Sequence, residues 1–255
     1  MERTGQSNVD VSDMPRGGPT ASCLDRLLET NRKEYLDRDD VDPGVRRGII
    51  MALERTGEWF GNHEKFAHIV LDEVAEVPDP RILELGAGHG GLSAKLVEMH
   101  PTAHVTVTDV EPDSVAAVAA GPLGSDERVT LCEADATEMT FDDGTFDLAV
   151  FALSFHHLSP ALAVRVIAEG TRVADKLVII DLPRPPAPLH LVRLATMLPF
   201  APFIPFVHDG VISSLRSYSP SALRTLAAAA GPDVTLELRG GLLSPQVAVA
   251  SRARG

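Results

Sequence analysis

Arg81-Ile82-Leu83-Glu84-Leu85-Gly86-Ala87-Gly88-His89-Gly90-Gly91 is the stretch on which the reading of this chain turns. Branched apolar residues make its first half a short strand. The glycines that follow let the backbone turn sharply and let a ligand approach where no Cβ intervenes. The next residues open a helix, whose first N–H groups have no partner within the helix. Two glycine patterns overlay the turn. Gly86-x-Gly88-x-x-Gly91 fits the dinucleotide fingerprint. Glu84-x-Gly86-x-Gly88-x-Gly90 fits an acidic loop, and a carboxylate at Glu84 suits a ligand carrying an ammonium and a sulfonium better than an anionic pyrophosphate.

Outward from that turn, strands and helices alternate. Short β-branched runs lie at Arg81–Leu85, His104–Thr108, Val129–Leu131, Phe146–Leu153 and Leu177–Ile180, and helical patterns at Leu92–His100, Pro112–Ala120 and Pro160–Arg172 separate them. Such alternation predicts a parallel sheet covered on both faces. After Asp181 the texture changes. Residues 182–217 are Pro-rich, apolar and irregular, long enough for a lid. Ser219-Pro220 caps a further helix, and Val234–Leu238 with Gln246–Ala250 reads as a closing hairpin around Gly240-Gly241. Before residue 81, helical spacing recurs at Leu24 to Leu36, Ile49 to Phe60 and Phe66 to Val77. Residues 1–20 read as a disordered tail. The rest, 21–255, reads as one domain: N-terminal helices over 21–78, a core over 81–181, the lid over 182–217, and a C-terminal helix and strands over 218–255.

The chain has 255 residues, 23 Lys and Arg against 36 Asp and Glu, and a formal charge of −13. An acidic surface repels phosphate backbones, so no nucleic-acid partner is expected. Two distant cysteines, Cys23 and Cys132, exclude a disulfide framework and a Cys-based zinc site. No apolar run is long enough for a membrane span and no leader pattern is visible, so a cytoplasmic protein without a membrane partner is expected. A homodimer is left open.

The other strand ends carry acids in register with the glycine turn. Asp109 closes the second strand, where a carboxylate can accept from ribose hydroxyls. Asp135-Ala136 follows the third, within reach of an adenine amino group, and Phe141 to Val150 runs into the fourth. In this order the motifs resemble those of class I S-adenosylmethionine (SAM)-dependent methyltransferases, over residues 81–181 and more loosely over 219–251. The resemblance implies a Rossmann-like, doubly wound, mostly parallel seven-stranded sheet whose last strand is antiparallel. It implies SAM as cofactor, leaving as S-adenosylhomocysteine. Glu84, Gly86, Ala87 and Gly88 become cofactor candidates, with Gly86 and Gly88 under the methionine part. Asp109 falls on the ribose, Val110 against the adenine ring, and Asp135 with Ala136 at its edge.

After the fourth strand stands Leu153-Ser154-Phe155-His156-His157, at the sheet end where α/β active sites form. A hydroxyl acceptor needs a base, and histidine is the usual one near neutral pH. Adjacent histidines there resemble small-molecule O-methyltransferases of sugars and other natural-product hydroxyls. That resemblance implies that one histidine, His156 before His157, takes the acceptor proton and that Asp181, ending the fifth strand, orients it. His208-Asp209-Gly210 reads as a loop turn, or with Arg216 as a substrate contact on the lid with Phe200, Phe203 and Phe206. Trp59 with Phe60 reads as core packing or as the opposing wall. Asp181 stands alone at its strand end, so no metal is expected. No Asn/Asp-Pro-Pro-Tyr/Phe and no Pro-Cys marks a nucleic-acid methylase. The alternatives are N- or C-methylation of a small molecule, or a SAM- or NAD-binding protein without catalysis.

Overall fold

The computed structural model describes residues 11–38, 40–241 and 244–253. Seven strands form one sheet: β1 Arg81–Leu85, β2 His104–Asp109, β3 Val129–Glu133, β4 Phe146–Ala152, β5 Ala174–Asp181, β6 Val234–Arg239 and β7 Gln246–Arg252. Their spatial order is β3-β2-β1-β4-β5-β7-β6. The first five strands run parallel, and β7 lies antiparallel between β5 and β6. The chain winds outward from β1 to β3 and returns to β4 on the other side of β1. A crevice opens at such a reversal, at the carboxyl ends of the strands.

The helices are α1 Cys23–Leu27, α2 Pro43–Phe60, α3 Asn62–Glu73, α4 Gly91–Met99, α5 Pro112–Ala119, α6 Pro160–Val173, α7 Ala187–Met197, α8 Pro205–Arg216 and α9 Pro220–Ala230. Alternation along the strands sorts the apolar residues between the two faces. Leu83, Leu85, Ala149, Phe151, Leu177 and Ile179 pack with Val166 of α6 and Leu226 of α9. Their neighbours Ile82, Leu148, Val150, Val178 and Ile180 pack on the opposite face with Val70 of α3 and Leu96 of α4. Both faces of β4 and β5 are therefore apolar, which is why these strands read as continuous runs. Ser159 and Ser219 cap α6 and α9, each just ahead of a proline. Among the described residues no helix is long and apolar enough to cross a membrane.

Three expectations need correction. The helix expected from Leu24 to Leu36 stops at Leu27, after a capping box of Ser22 and Asp25. Residues 29–38 then run as a non-helical strap. The insertion 182–217 is not irregular, because its prolines start helices: Pro186 caps α7, and Pro205 opens the first turn of α8. His208-Asp209-Gly210 accordingly lies inside α8 rather than in a turn.

The third concerns the tail. Residues 1–10 lie outside the described residues, but residues 11–20 are pinned to the domain. Val11 joins the core. Ser219 donates its N–H to the Arg16 carbonyl at 2.9 Å and its hydroxyl to the Gly17 carbonyl at 2.8 Å. The Arg16 guanidinium is buried, lies 4.3 Å from the centre of the Tyr218 ring and donates to the His156 carbonyl at 3.1 Å. Arg184, equally buried, donates to the carbonyls of Asp25, Leu28 and Leu215. Two buried arginines thus fasten a polar segment that buries little apolar surface of its own. Arg16→Ala removes the ring contact and leaves a buried carbonyl without its donor. It should cost about 2 kcal/mol and lower the unfolding midpoint by roughly 4–8 °C, read by calorimetry.

Candidate active site

The turn after β1 is built on residues whose φ is positive. Gly86 has φ +60°, and a Cβ there would meet the Phe151 ring at 2.7 Å. Gly88 has φ +55°, but a Cβ there would meet nothing within 4 Å, so its face is open to a ligand. The Gly88 N–H donates to Asp109 Oδ2 at 2.8 Å, and the Glu111 N–H donates to Asp109 Oδ1 at 2.9 Å. Asp109 thereby holds the glycine turn against the end of β2, with Val110 exposed beside it. The Ala87 N–H donates to the Thr108 carbonyl at 2.9 Å. Asp135 is exposed and its Oδ1 accepts from the Thr137 N–H and hydroxyl at 2.8 and 2.7 Å, while Ala136 packs partly into the core. These residues line the carboxyl ends of β1, β2 and β3, as the sequence predicts.

Glu84 departs from its expected setting. Its side chain is buried beneath the turn and accepts from the Ser93 hydroxyl of α4. Burial raises its pKa to about 7; the Ser93 bond works against this and the Asp109 charge adds to it. Glu84 therefore ties β1 to α4 from below rather than lining the open face.

The second half of the site begins where β4 ends. Leu153 takes a left-handed backbone, φ +55°, which is costly for a residue with a branched side chain. It turns the chain into a single 3-10 turn over Phe155–His157. Asp181, buried at the end of β5, receives that turn with both oxygens. Its Oδ2 accepts the His156 N–H at 2.8 Å and its Oδ1 accepts His156 Nδ1 at 2.7 Å. The sequence-predicted pair of His156 and Asp181 is thus in direct contact.

The strap supplies acids that sequence reading did not single out. Glu34 Oε1 lies 3.3 Å from His156 Nε2, close enough for charge attraction but without the alignment of a hydrogen bond. Glu34 Oε1 also accepts the Ser213 hydroxyl of α8 at 2.7 Å. His157 stacks on His156 with ring centres 4.4 Å apart. Its Nδ1 lies 3.0 Å from Asp37 Oδ2 and its Nε2 3.9 Å from Glu34 Oε2. Burial alone would lower the pKa of His156; Asp181 and Glu34 outweigh it and raise it to about 9. Burial pushes Glu34 and Asp37 upward, yet their imidazole partners hold both below the usual carboxylate range.

The remaining candidates divide. Arg216 reaches the site but is engaged there, with Nη1 3.2 Å from Asp37 Oδ2 and Nη2 donating to the His157 carbonyl at 2.8 Å. Asp209 is buried in α8 and accepts the Tyr35 N–H at 2.8 Å, while His208 lies over the Tyr35 ring at 4.3 Å. Both hold the strap. Trp59 is 88% exposed, with its ring stacked on Phe60, so the core-packing alternative is wrong for it. Phe200 and Phe203 are exposed too. Glu34 and Asp37 are not singled out by the sequence because they are charged residues within and just after an expected helix, Leu24 to Leu36.

With this geometry established, comparison with known proteins adds the following. Residues 82–176 match the family described as a methyltransferase domain. The chain is similar to the demethylmenaquinone methyltransferase of Thermus thermophilus, 30% identical over 195 residues, covering 70% of this chain and 86% of that protein. It is similar to the malonyl-[acyl-carrier protein] O-methyltransferase of Geobacter sulfurreducens, 36% identical over 134 residues, covering 50% and 49%. The solved plantazolicin methyltransferase BpumL, in complex with a desmethylPZN analog and SAH, shares the fold with a TM-score of 0.60 at 11% identity, covering 84% and 91%.

Glu84 gives a pH test. Its pKa is raised on folding, so it favours the folded state at low pH and loses that contribution as pH climbs from its unfolded value near 4.3 to about 7. Across that window the wild type should lose stability relative to Glu84→Gln. The variant should be the more stable of the two at pH 8. Parallel midpoint-against-pH curves would show that Glu84 is not the buried acid described here.

Proposed function

The chain belongs to the class I SAM-dependent methyltransferases, and on that premise we propose that it methylates a hydroxyl of a small-molecule metabolite, with His156 taking the acceptor proton. The observation that carries this reading is the 2.7 Å contact of His156 Nδ1 with Asp181. It fixes the ring and leaves Nε2 without an aligned hydrogen-bond partner. A hydroxyl oxygen becomes a competent nucleophile as its proton leaves, and a positioned base contributes typically 10²–10⁴-fold. Glu34 beside Nε2 helps to keep His156 protonated; once the strap has carried Glu34 away and the ring has lost that proton, Nε2 accepts the hydroxyl proton while the acceptor oxygen forms its bond to the methyl carbon. Asp181 stabilises the imidazolium that results.

Bound SAM supplies the electrophilic methyl group, and S-adenosylhomocysteine leaves with the electron pair of the broken carbon–sulfur bond. The open face of Gly88 fits a cofactor that lies against backbone, and Gly86, Ala87 and Asp109 shape that turn. Val110, Asp135 and Ala136, just after β2 and β3, would receive the adenosyl group, and Glu84 supports the turn from below. Glu34 stands beside Nε2, where the acceptor oxygen has to arrive, so the strap carrying it shifts when acceptor enters. His157 shapes the same wall. Arg216, Asp209 and His208 position the strap, and Trp59 remains a candidate acceptor contact on its exposed edge. The net charge of −13 supports an acceptor other than nucleic acid, and a cytoplasmic setting suits the free thiols of Cys23 and Cys132.

A second reading is methylation of carbon. The name demethylmenaquinone methyltransferase of the Thermus relative favours it. The same base serves, because an ionised phenol shares its negative charge with neighbouring ring carbons. Product analysis after turnover of hydroxylated aromatic acceptors separates the two.

S-adenosylhomocysteine at about 100 times its Kd should stabilise the protein by roughly 2.7 kcal/mol, on the order of 5–10 °C. Gly88→Ala should abolish that shift, because its methyl group occupies the open face. Gly86→Ala should instead lower the midpoint without ligand, through its contact with Phe151. His156→Gln should lower kcat by about 10²–10⁴ and leave the S-adenosylhomocysteine shift intact. His157→Gln should do less. Turnover retained in His156→Gln and in the double variant would overturn the assignment of the base.

A further inference from the structure

We propose that Glu34, His156 and His157 form a binding site for a divalent transition-metal cation, Zn2+ foremost, and that a cation seated there inhibits methyl transfer. One ligand atom from each of the three residues can be chosen so that all lie within 4.8 Å of one another. Two ligands of a tetrahedral zinc ion, each at about 2.0–2.1 Å from the metal, stand roughly 3.3 Å apart. His156 Nε2 and Glu34 Oε1 are 3.3 Å apart, and His157 Nε2 and Glu34 Oε2 are 3.9 Å apart.

The surroundings are those of a ligand set. A histidine that binds metal through Nε2 commonly gives its Nδ1 proton to a carboxylate, which fixes the tautomer and turns the lone pair toward the ion. Both histidines have that carboxylate: Asp181 for His156 at 2.7 Å and Asp37 for His157 at 3.0 Å. Both Nε2 atoms therefore face Glu34. His156 Nε2 is buried and has no aligned hydrogen-bond partner. The Ser213 hydroxyl holds the Glu34 carboxylate in place. Glu34, Asp37 and Asp181 bring three carboxylates to the two imidazoles, and Arg216 offsets one of them at Asp37. Two imidazoles and a carboxylate suit zinc and its first-row neighbours better than magnesium or calcium, which prefer oxygen.

The absence of metal expected from the sequence rested on Asp181 standing alone among the strand ends. Glu34 enters from the strap, which that reading did not count. The cation would take the same lone pair of His156 that accepts the proton. The inhibitory half of the proposal therefore rests on the methyl-transfer reading, whereas binding of the ion does not.

The test uses the full-length, untagged protein and Co2+ as the probe, with Zn2+ as competitor. One equivalent of Co2+ should bind saturably, show visible d–d absorption, and be displaced by Zn2+. Glu34→Gln, which keeps an acceptor for Ser213, and His157→Ala should each weaken binding at least tenfold. Asp37→Asn should weaken it about tenfold. His68→Ala, an exposed histidine on α3, should bind as the wild type does. The S-adenosylhomocysteine shift in each variant verifies that it is folded. No saturable binding, or binding unchanged in Glu34→Gln and His157→Ala, overturns the site. Zn2+ should also abolish turnover, with recovery on chelation. Binding at this site with turnover undiminished would retain the site and overturn its inhibitory role.

Discussion

Both oxygens of one buried carboxylate close on one histidine, and much of the chemistry of this molecule follows from that. Asp181 ends β5 and accepts the backbone N–H and the ring Nδ1 of His156, which follows the end of the neighbouring β4. A carboxylate out of water needs such partners, and an imidazole held on one side presents its other nitrogen in a fixed direction. The left-handed Leu153 is the backbone cost of turning the chain so soon after β4. Its N–H donates to the Ile180 carbonyl, so the same strand that carries Asp181 supports the turn.

Around that pair the charges are arranged rather than balanced. Glu34, Asp37 and Asp181 crowd two stacked imidazoles, while Arg216 and Arg16 bond to the carbonyls of His157 and His156. The guanidinium groups fasten the backbone of the His pair, and the carboxylates set the rings. This division explains why burial alone, which disfavours a charged imidazole, does not prevail at His156. Glu34, brought in on the strap, contributes to that outcome, so the proton affinity of His156 depends on where the strap lies.

The parts legible in the sequence are those whose physics is local or periodic. Alternating strand and helix patterns marked the parallel sheet, and Ser-Pro pairs marked the starts of α6 and α9. The glycine spacing revealed the turn after β1. His156 and Asp181 were legible because strand ends on one edge of a parallel sheet converge. The strap was not, because the apolar spacing of Leu24 to Leu36 suggested a helix, and only the contacts with α8 and the His pair hold residues 29–38 in a non-helical path. Arg16 and Arg184 are buried by partners far along the chain, and composition alone makes such a segment a tail. The prolines of 182–217 misled for the opposite reason: read as breakers, they are helix starts.

The division between what the family fixes and what this chain adds falls along the same line. The matched span, residues 82–176, contains the glycine turn, Asp109, Asp135 and the two histidines. Asp181, Arg16, Glu34, Asp37, Asp209, Ser213 and Arg216 all lie outside it. The proposed cofactor residues stand at strand ends that the sheet must bring together. The proposed acceptor face is carried by the strap and α8, joined by Tyr35 to Asp209 and by Ser213 to Glu34. One scaffold can serve many acceptors because function lives in sites grafted on the fold. On the proposed function, substitutions at the strap–α8 contact should alter which acceptor enters while binding of the adenosyl ligand stays unchanged.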